Sequence, residues 1–194
     1  MGAMVHELVA DFFEAGGQAG AVERLKAAQA TRRQKLIAAW TPEYGLLNRL
    51  TTLWEGDADA LPPGAGADPD TDWMSSASTS HVLVPRRPVR MDQLAAPILE
   101  LRTYAMHEGR CETFVNALLT ALPHREKYSL NAGVWTTRER GVDLVYHLWT
   151  YESLAQRMAA RDGAMKDEGW SIYRASIRPL LRGLKASLLT PVKL

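Results

Sequence analysis

Two short stretches of this 194-residue chain gather side chains able to do chemistry. Glu100, Arg102 and Tyr104 are spaced two apart; His147 and Trp149 repeat that spacing, with Trp135 upstream. Side chains of an extended strand alternate between faces, so each set shares one face. Together they offer an acid, a fixed cation, a phenol, an imidazole and aromatic walls, a set suited to acid–base chemistry on a small planar or carbonyl-containing molecule. Histidine titrates near neutrality, so His147 could move a proton. Arg102 could hold a carboxylate or enolate oxygen in a forked contact. Tyr104 could donate to developing negative charge, and Glu100 could orient or tune His147. Trp135 and Trp149, with Trp40 and Trp54 from earlier in the chain, could bind a flat or apolar substrate.

Each of these groups also has a plainer reading. A Glu–Arg pair inside a protein is often a satisfied ion pair. Glu7 stands where Glu100 does in an earlier segment, which favours a structural carboxylate. The tryptophans recur too, which favours the core. His147, Arg102 and Tyr104 differ: their counterparts are Thr52, Val9 and Asp11. The polar set survives in one copy, and that asymmetry is the functional signal.

The copies themselves are read from spacing. Trp40-Thr41 precedes Leu53-Trp54 as Trp135-Thr136 precedes Leu148-Trp149, at the same interval, with Gly45 and Gly141 between them as hairpin turns. Upstream, His6-Glu7-Leu8 matches Leu99-Glu100-Leu101. Each copy reads as strand, helix, strand, strand, over about residues 5–57 and 98–152. In the second, Ile98–Tyr104, Leu130–Thr136 and Leu144–Trp149 are the strands. Phe114, Val115, Leu118, Leu119 and Leu122 mark the helix stripe, which Pro123 should end. His124-Arg125-Glu126-Lys127 then reads as a solvated loop. Ser153 and Gln156 open a further helix as a capping box; it breaks near Gly163 or Gly169 and resumes from Trp170 to about Leu184. Pro179 kinks it or starts a new turn, and Ser187–Val192 is a last strand. The domain boundaries are 5–85 for a degenerate first half, in which 56–80 is a Gly/Pro-rich loop ending at a short strand His81–Val84, and 98–192 for the second. Two small antiparallel sheets, each covered by helices on one face, can bury their bare faces against each other around a barrel-like interior. On that reasoning the leucine face of each strand belongs to the covering helices. Glu100, Arg102, Tyr104, His147 and Trp149 then point into the barrel.

Bulk properties narrow the class. Hydrophobic residues make up 46% and charged residues 23%, with a net charge of +1. A core can be buried, and no coherent basic face for nucleic acid is evident. One cysteine, Cys111, excludes an intrachain disulfide. No apolar run reaches the roughly 20 residues of a membrane helix, and the N-terminus lacks the features of a signal peptide, so a cytoplasmic address is expected. His107 and Cys111 share a helical spacing but make too few ligands for zinc.

The second copy resembles the NIPSNAP family, within the dimeric α/β-barrel group of ferredoxin-like proteins. The resemblance rests on Leu99-Glu100-Leu101-Arg102-Thr103-Tyr104, Gly133-Val134-Trp135-Thr136-Thr137, Val145-Tyr146-His147-Leu148-Trp149, Tyr151-Glu152-Ser153-Leu154, Arg157, Arg161, Trp170 and Ile177-Arg178-Pro179-Leu180. The first copy matches in outline. The resemblance implies an α+β fold: two ferredoxin-like β-α-β-β units in tandem, closing an intrachain barrel of the dimeric-α/β type. It says little about chemistry, because sites are grafted onto such folds.

Four functions stay open at this point. One is a cofactor-independent enzyme, of isomerase, lyase or monooxygenase type, working with His147, Arg102, Tyr104 and Glu100. Another is a binding or carrier protein for a small hydrophobic molecule. A third is haem chemistry on His147 or His107, and a fourth is an interaction protein. The first is preferred, with no cofactor, a small-molecule substrate as partner and no nucleic acid or membrane. Arg157 and Arg161 could bind an anion or simply be solvated. A tandem chain can close its own barrel, although outer strands or helices could still pair as a homodimer.

Overall fold

A computed structural model describes residues 3–45, 47–58, 78–138 and 141–193. The first half contributes β1 (Met4–Phe12), α1 (Gln18–Thr31), β2 (Lys35–Tyr44), β3 (Arg49–Asp57) and β4 (Thr79–Pro85). The second contributes β5 (Ile98–Met106), α2 (Cys111–Glu126), β6 (Asn131–Thr137), β7 (Leu144–Tyr151), α3 (Leu154–Lys166), α4 (Glu168–Ile177) and β8 (Leu181–Pro191). The expected loop 56–80 is shorter at both ends, since β3 runs to Asp57 and β4 begins at Thr79; its body lies outside the described residues.

The strands close a ring in the order β1-β3-β2-β8-β5-β7-β6-β4, each paired antiparallel with its neighbours. The halves contribute β4-β1-β3-β2 and β8-β5-β7-β6, the same order twice. They join at two seams, β2 with β8 and β4 with β6. The fold is therefore the α+β tandem barrel that the repeat predicts, as one closed sheet. The linker after β4 runs beside β6, with Arg86 and Arg90 donating backbone hydrogen bonds to Val134 and Ala132. Its Leu94 accepts the Trp40 indole N–H at 2.9 Å and packs into the barrel core.

The interior and the helix side have separate cores. An eight-stranded barrel leaves just enough room for its inward side chains. Leu8, Leu53, Leu99, Leu148 and Leu189 fill it, with Trp40 and Trp135. The helix side of the second half packs Tyr104, Val145 and Trp149 against Phe114, Leu118, Leu122 and Trp170. Trp54 lies under α1. The expected face assignment is thus inverted: the leucines of β5 and β7 point inward, and the Tyr104 and Trp149 face points at the helices. Compact aliphatic side chains suit a narrow ring, whereas the layer beneath three helices has room for rings and long cations.

Local expectations also changed. Pro123 lies inside α2, which continues to Glu126. Its last turn is held from outside the helix, because Arg125 is 4% exposed, donates to Ser129 Oγ at 2.7 Å and to the Tyr151 hydroxyl at 3.2 Å, and stacks 4.7 Å over Trp149. The stretch expected as a solvated loop is therefore an anchor. Gly163 does not break α3; a Cβ there would run into the Tyr128 ring, so the glycine permits that close approach. The break falls at Asp167, whose carboxylate accepts from the Trp170 amide at 3.0 Å and caps α4. A 3-10 turn holds Pro179, and residues 181–184, expected as helix, already belong to β8.

Candidate functional site

Strand β5 is bonded on both sides, to β7 and β8, and carries Glu100, Arg102 and Tyr104 at alternate positions of its helix face. Above them, Ser153 caps α3 by accepting from the Gln156 amide at 3.1 Å. That start places Arg157 and Arg161 one turn apart on the side facing β5. Helix α4 adds Trp170, Tyr173, Arg174 and Ile177, and the turn after it adds Arg178. Between these elements lies a cavity of about 400 Å³.

Glu100 is fully buried at its floor. Its Oε1 accepts from Arg102 Nε at 2.6 Å and, more weakly, from Arg161 Nη1 at 3.4 Å; its Oε2 accepts from Arg157 Nε at 2.5 Å. Burial pushes the Glu100 carboxyl up, but Arg102 and Arg157 outweigh it and hold the group below the ordinary carboxylate range. Arg102 also donates to the Tyr104 hydroxyl at 3.0 Å. The two α3 arginines are thus counter-ions of Glu100, which settles the choice between solvation and pairing for Arg157.

The cavity is strongly cationic. Six arginines and Lys185 line it, against Glu100 as the one acid among the described lining residues. The Arg174 and Arg178 side chains have no hydrogen-bond or ion-pair partner among the described residues. Tyr173 is 5% exposed, and its hydroxyl is buried without a hydrogen-bond partner among the described residues. Trp149, Trp170, Tyr173 and Ile177 form apolar walls, and Met165, Leu184 and Arg178 stand exposed at the mouth.

The candidate residues from the sequence are only partly brought together. Glu100, Arg102, Tyr104 and Trp149 line this cavity. Trp135 and Trp40 face the barrel interior, and Trp54 lies in the other half. His147 contacts the site from behind: its ring packs edge-on against Tyr104 at 4.9 Å, and its Nδ1 accepts the Trp149 indole N–H at 2.7 Å. It does not line the cavity. Burial, reinforced by the Arg102 and Arg125 charges, holds its pKa well below the ordinary histidine value. In the first half, Thr52 Oγ1 accepts the Trp54 indole N–H at 2.9 Å, so the differing residues 52 and 147 make the same bond. The carboxylate also has its echo: Glu7 pairs with Arg32 at 2.6 Å, and Arg32 stacks over Trp54 at 4.4 Å.

Cys111 and His107 flank the start of α2. Burial, then Asp143, push the Cys111 thiol up to about 12. No cluster of three metal-ligating side chains occurs among the described residues, and no helix there is long and apolar enough to cross a membrane.

The NIPSNAP family profile matches residues 99–194, the segment that builds this cavity. The C-terminal half is a NIPSNAP domain. A NipSnap homolog of Dictyostelium discoideum is 30% identical over 97 residues, covering 50% of this chain and 44% of that protein. Human NipSnap homolog 2 aligns across both halves, 23% identical over 181 residues, covering 81% of this chain and 60% of its own length. The matched region spans 18%, 34% and 44% of the Caenorhabditis elegans, Danio rerio and Dictyostelium relatives, so the chain corresponds to less than half of those proteins. Among solved structures, an anthrone oxidase-like protein superposes with a TM-score of 0.70 over 98% of this chain and 91% of its own, at 10% identity. That likeness shows the fold: the whole tandem barrel, beyond the NIPSNAP half, is a known arrangement.

Within the NIPSNAP half, sequence reading missed Arg125, Arg174 and Tyr173. The usable signal was spacing. Trp170, Tyr173, Arg174 and Ile177 recur at three- and four-residue intervals, which puts them on one helical stripe.

Proposed function

We propose that the NIPSNAP half binds a small amphipathic carboxylate, with a planar or acyl body, in the cavity under α3 and α4. The charge balance carries this reading. Six guanidinium groups face one carboxylate that Arg102 and Arg157 already satisfy. A ligand carboxylate would give Arg174 and Arg178 the counter-ion they lack among the described residues, in the bidentate form guanidinium favours. The Tyr173 hydroxyl would donate to it or to a neighbouring carbonyl, and the Trp149–Trp170 wall would take the apolar body.

A second, catalytic reading rests on one contact. Arg102 donates to the Tyr104 hydroxyl at 3.0 Å, an arrangement that suits a phenol donating to the oxyanion of an enolising carbonyl substrate. His147 serves either reading as a positioning residue, because its ring fixes the orientations of Trp149 and Tyr104.

Titration of 2-naphthoate and octanoate against their neutral amides, followed by tryptophan fluorescence, tests the binding. The carboxylates should bind saturably and at least tenfold more tightly than the amides. Replacing Arg174 by Gln should weaken them roughly ten- to a hundredfold, the worth of one charge-assisted hydrogen bond. Equal affinity for acid and amide, unaltered in R174Q, would overturn the proposal.

A further inference from the structure

Helix α3 turns its larger apolar side chains to solvent. Ala160 and Ala164 are its buried residues, whereas Leu154, Met158 and Met165 are each more than half exposed. Residues 154, 158, 161 and 165 are four, three and four apart, so these three side chains share one stripe with Arg161. Arg161 and Met165 line the NIPSNAP cavity, so the stripe runs into its mouth. On β8, Leu184 lines the same cavity and is also more than half exposed. Apolar side chains scattered singly over a surface carry no message, but a patch gathered around one opening does.

Positive charge collects at the same place. Arg161, Arg174 and Arg178 border the cavity beside these apolar side chains, and Arg178 stands at the mouth. Arg161 touches Glu100 only through the weak 3.4 Å bond, and its side chain is 43% exposed. Helix α3 itself carries Arg157, Arg161 and Lys166 against a single acid, Asp162, which Lys166 follows at the four-residue spacing of an ion pair. Glu168 opens α4 off the stripe that holds Trp170, Arg174 and Ile177.

We infer that the rim of the NIPSNAP cavity is a docking surface for an anionic phospholipid bilayer, with α3 lying along the interface. The stripe is a convex helix ridge, which offers no groove to a partner helix or peptide. Its exposed apolar residues include no tryptophan or tyrosine, the usual anchors of a protein interface. Flexible aliphatic tips beside guanidinium groups instead match a bilayer surface, where the tips enter the acyl boundary and the cations meet the phosphates. Such a helix rests on the membrane and does not span it. The docking surface is independent of the proposed ligand; with both in place, an amphipathic carboxylate could pass between bilayer and cavity without crossing bulk water.

The test sediments the whole chain with vesicles of phosphatidylcholine alone and of an equal mixture with phosphatidylglycerol. The mixed vesicles should bind at least tenfold more tightly, and added salt should weaken that binding by screening. The double variant Leu154→Gln, Met158→Gln changes two exposed residues that do not line the cavity. It should keep the wild-type circular dichroism, lose at least tenfold in vesicle affinity, and leave the 2-naphthoate titration as in the wild type, so failure of the surface is read separately from failure of the cavity. Arg178→Gln should cost about fivefold in vesicle affinity, the worth of one cation at an anionic surface. Absence of binding to the mixed vesicles, equal binding to both kinds, or binding unchanged in the double variant overturns the inference. So does a dimer seen by light scattering that the double variant dissociates, since the stripe would then belong to a second copy of the chain.

Discussion

Replacing Glu100 by Gln keeps the shape of the side chain and removes the charge on which Arg102, Arg157 and Arg161 converge. Glu100 is fully buried, while Arg102 and Arg157 are each 21% exposed and Arg161 is 43% exposed. Breaking a buried pair by removing one partner costs about 3–5 kcal/mol. The arginines keep partial access to water, which screens the excess charge and points to the lower end, about 3 kcal/mol. For a chain of this size that is a drop in Tm of roughly 6–12 °C. The pH dependence supplies a second signature. The Glu100 carboxyl is held below its ordinary value of 4.5 in the folded protein. Its contribution is therefore complete above about pH 4.5 and lost as pH falls through the lower folded value. Urea unfolding of the wild type and of E100Q, at pH 7 and then at steps below pH 4.5, should show a gap that closes as the wild-type carboxylate is protonated. A gap under about 1 kcal/mol at pH 7, the range of an exposed ion pair, or one that persists unchanged in acid, would refute the assignment of Glu100 as the hub.

Other expectations follow from neighbouring geometry. Thr52→Val should cost about 1–3 kcal/mol by orphaning the Trp54 indole N–H, and the loss should reappear in urea unfolding as a lower midpoint with an unchanged slope. The His147 ring should show no titration in NMR between about pH 6 and 8; because its folded pKa is lowered while the unfolded value stays near 6.5, its stabilising contribution is full above that value and is lost as pH falls below it. Gly163→Ala should destabilise by about 1–3 kcal/mol, since the new methyl meets the Tyr128 ring, and thermal unfolding reads the loss directly. Cys111, with its thiol pushed up to about 12, should react with a disulfide reagent at pH 8 far more slowly than the same residue in urea; comparable rates would mean the thiol is not held as described.

The repeat was legible because tryptophan intervals survive where other residues drift. The strand and helix order followed from it, and so did the closed barrel. The direction of each strand face was not legible. Every residue of β7 is buried, so alternation separates its two faces without saying which one meets the helices. Pro123 misled because the force that carries α2 past it comes from Ser129, Tyr151 and Trp149, none of which a local reading can place. The differences at 9/102 and 11/104 did mark a cavity wall, since Arg102 and Tyr104 line it. The difference at 52/147 marked a conserved bond made by two chemistries, an equivalence visible only once Trp54 and Trp149 are seen donating to those residues. The cavity's excess of arginines was hidden for a simpler reason: it gathers from α2, α3, α4 and the turn after α4, which lie apart in the chain.

The two seams that close the ring, β2 with β8 and β4 with β6, carry a further consequence. In a barrel assembled from two molecules, such seams would open on dilution, and every residue would face its own copy across the axis. Here the linker of residues 86–97 holds the halves together, so the tether sets their effective concentration and closure does not depend on how much protein is present. Covalent joining also releases the halves from self-complementarity. A substitution on one side of the axis is no longer imposed on the other, which is how β4 can carry Thr79 beside Ala10 where its counterpart β8 carries Lys185 beside Thr103.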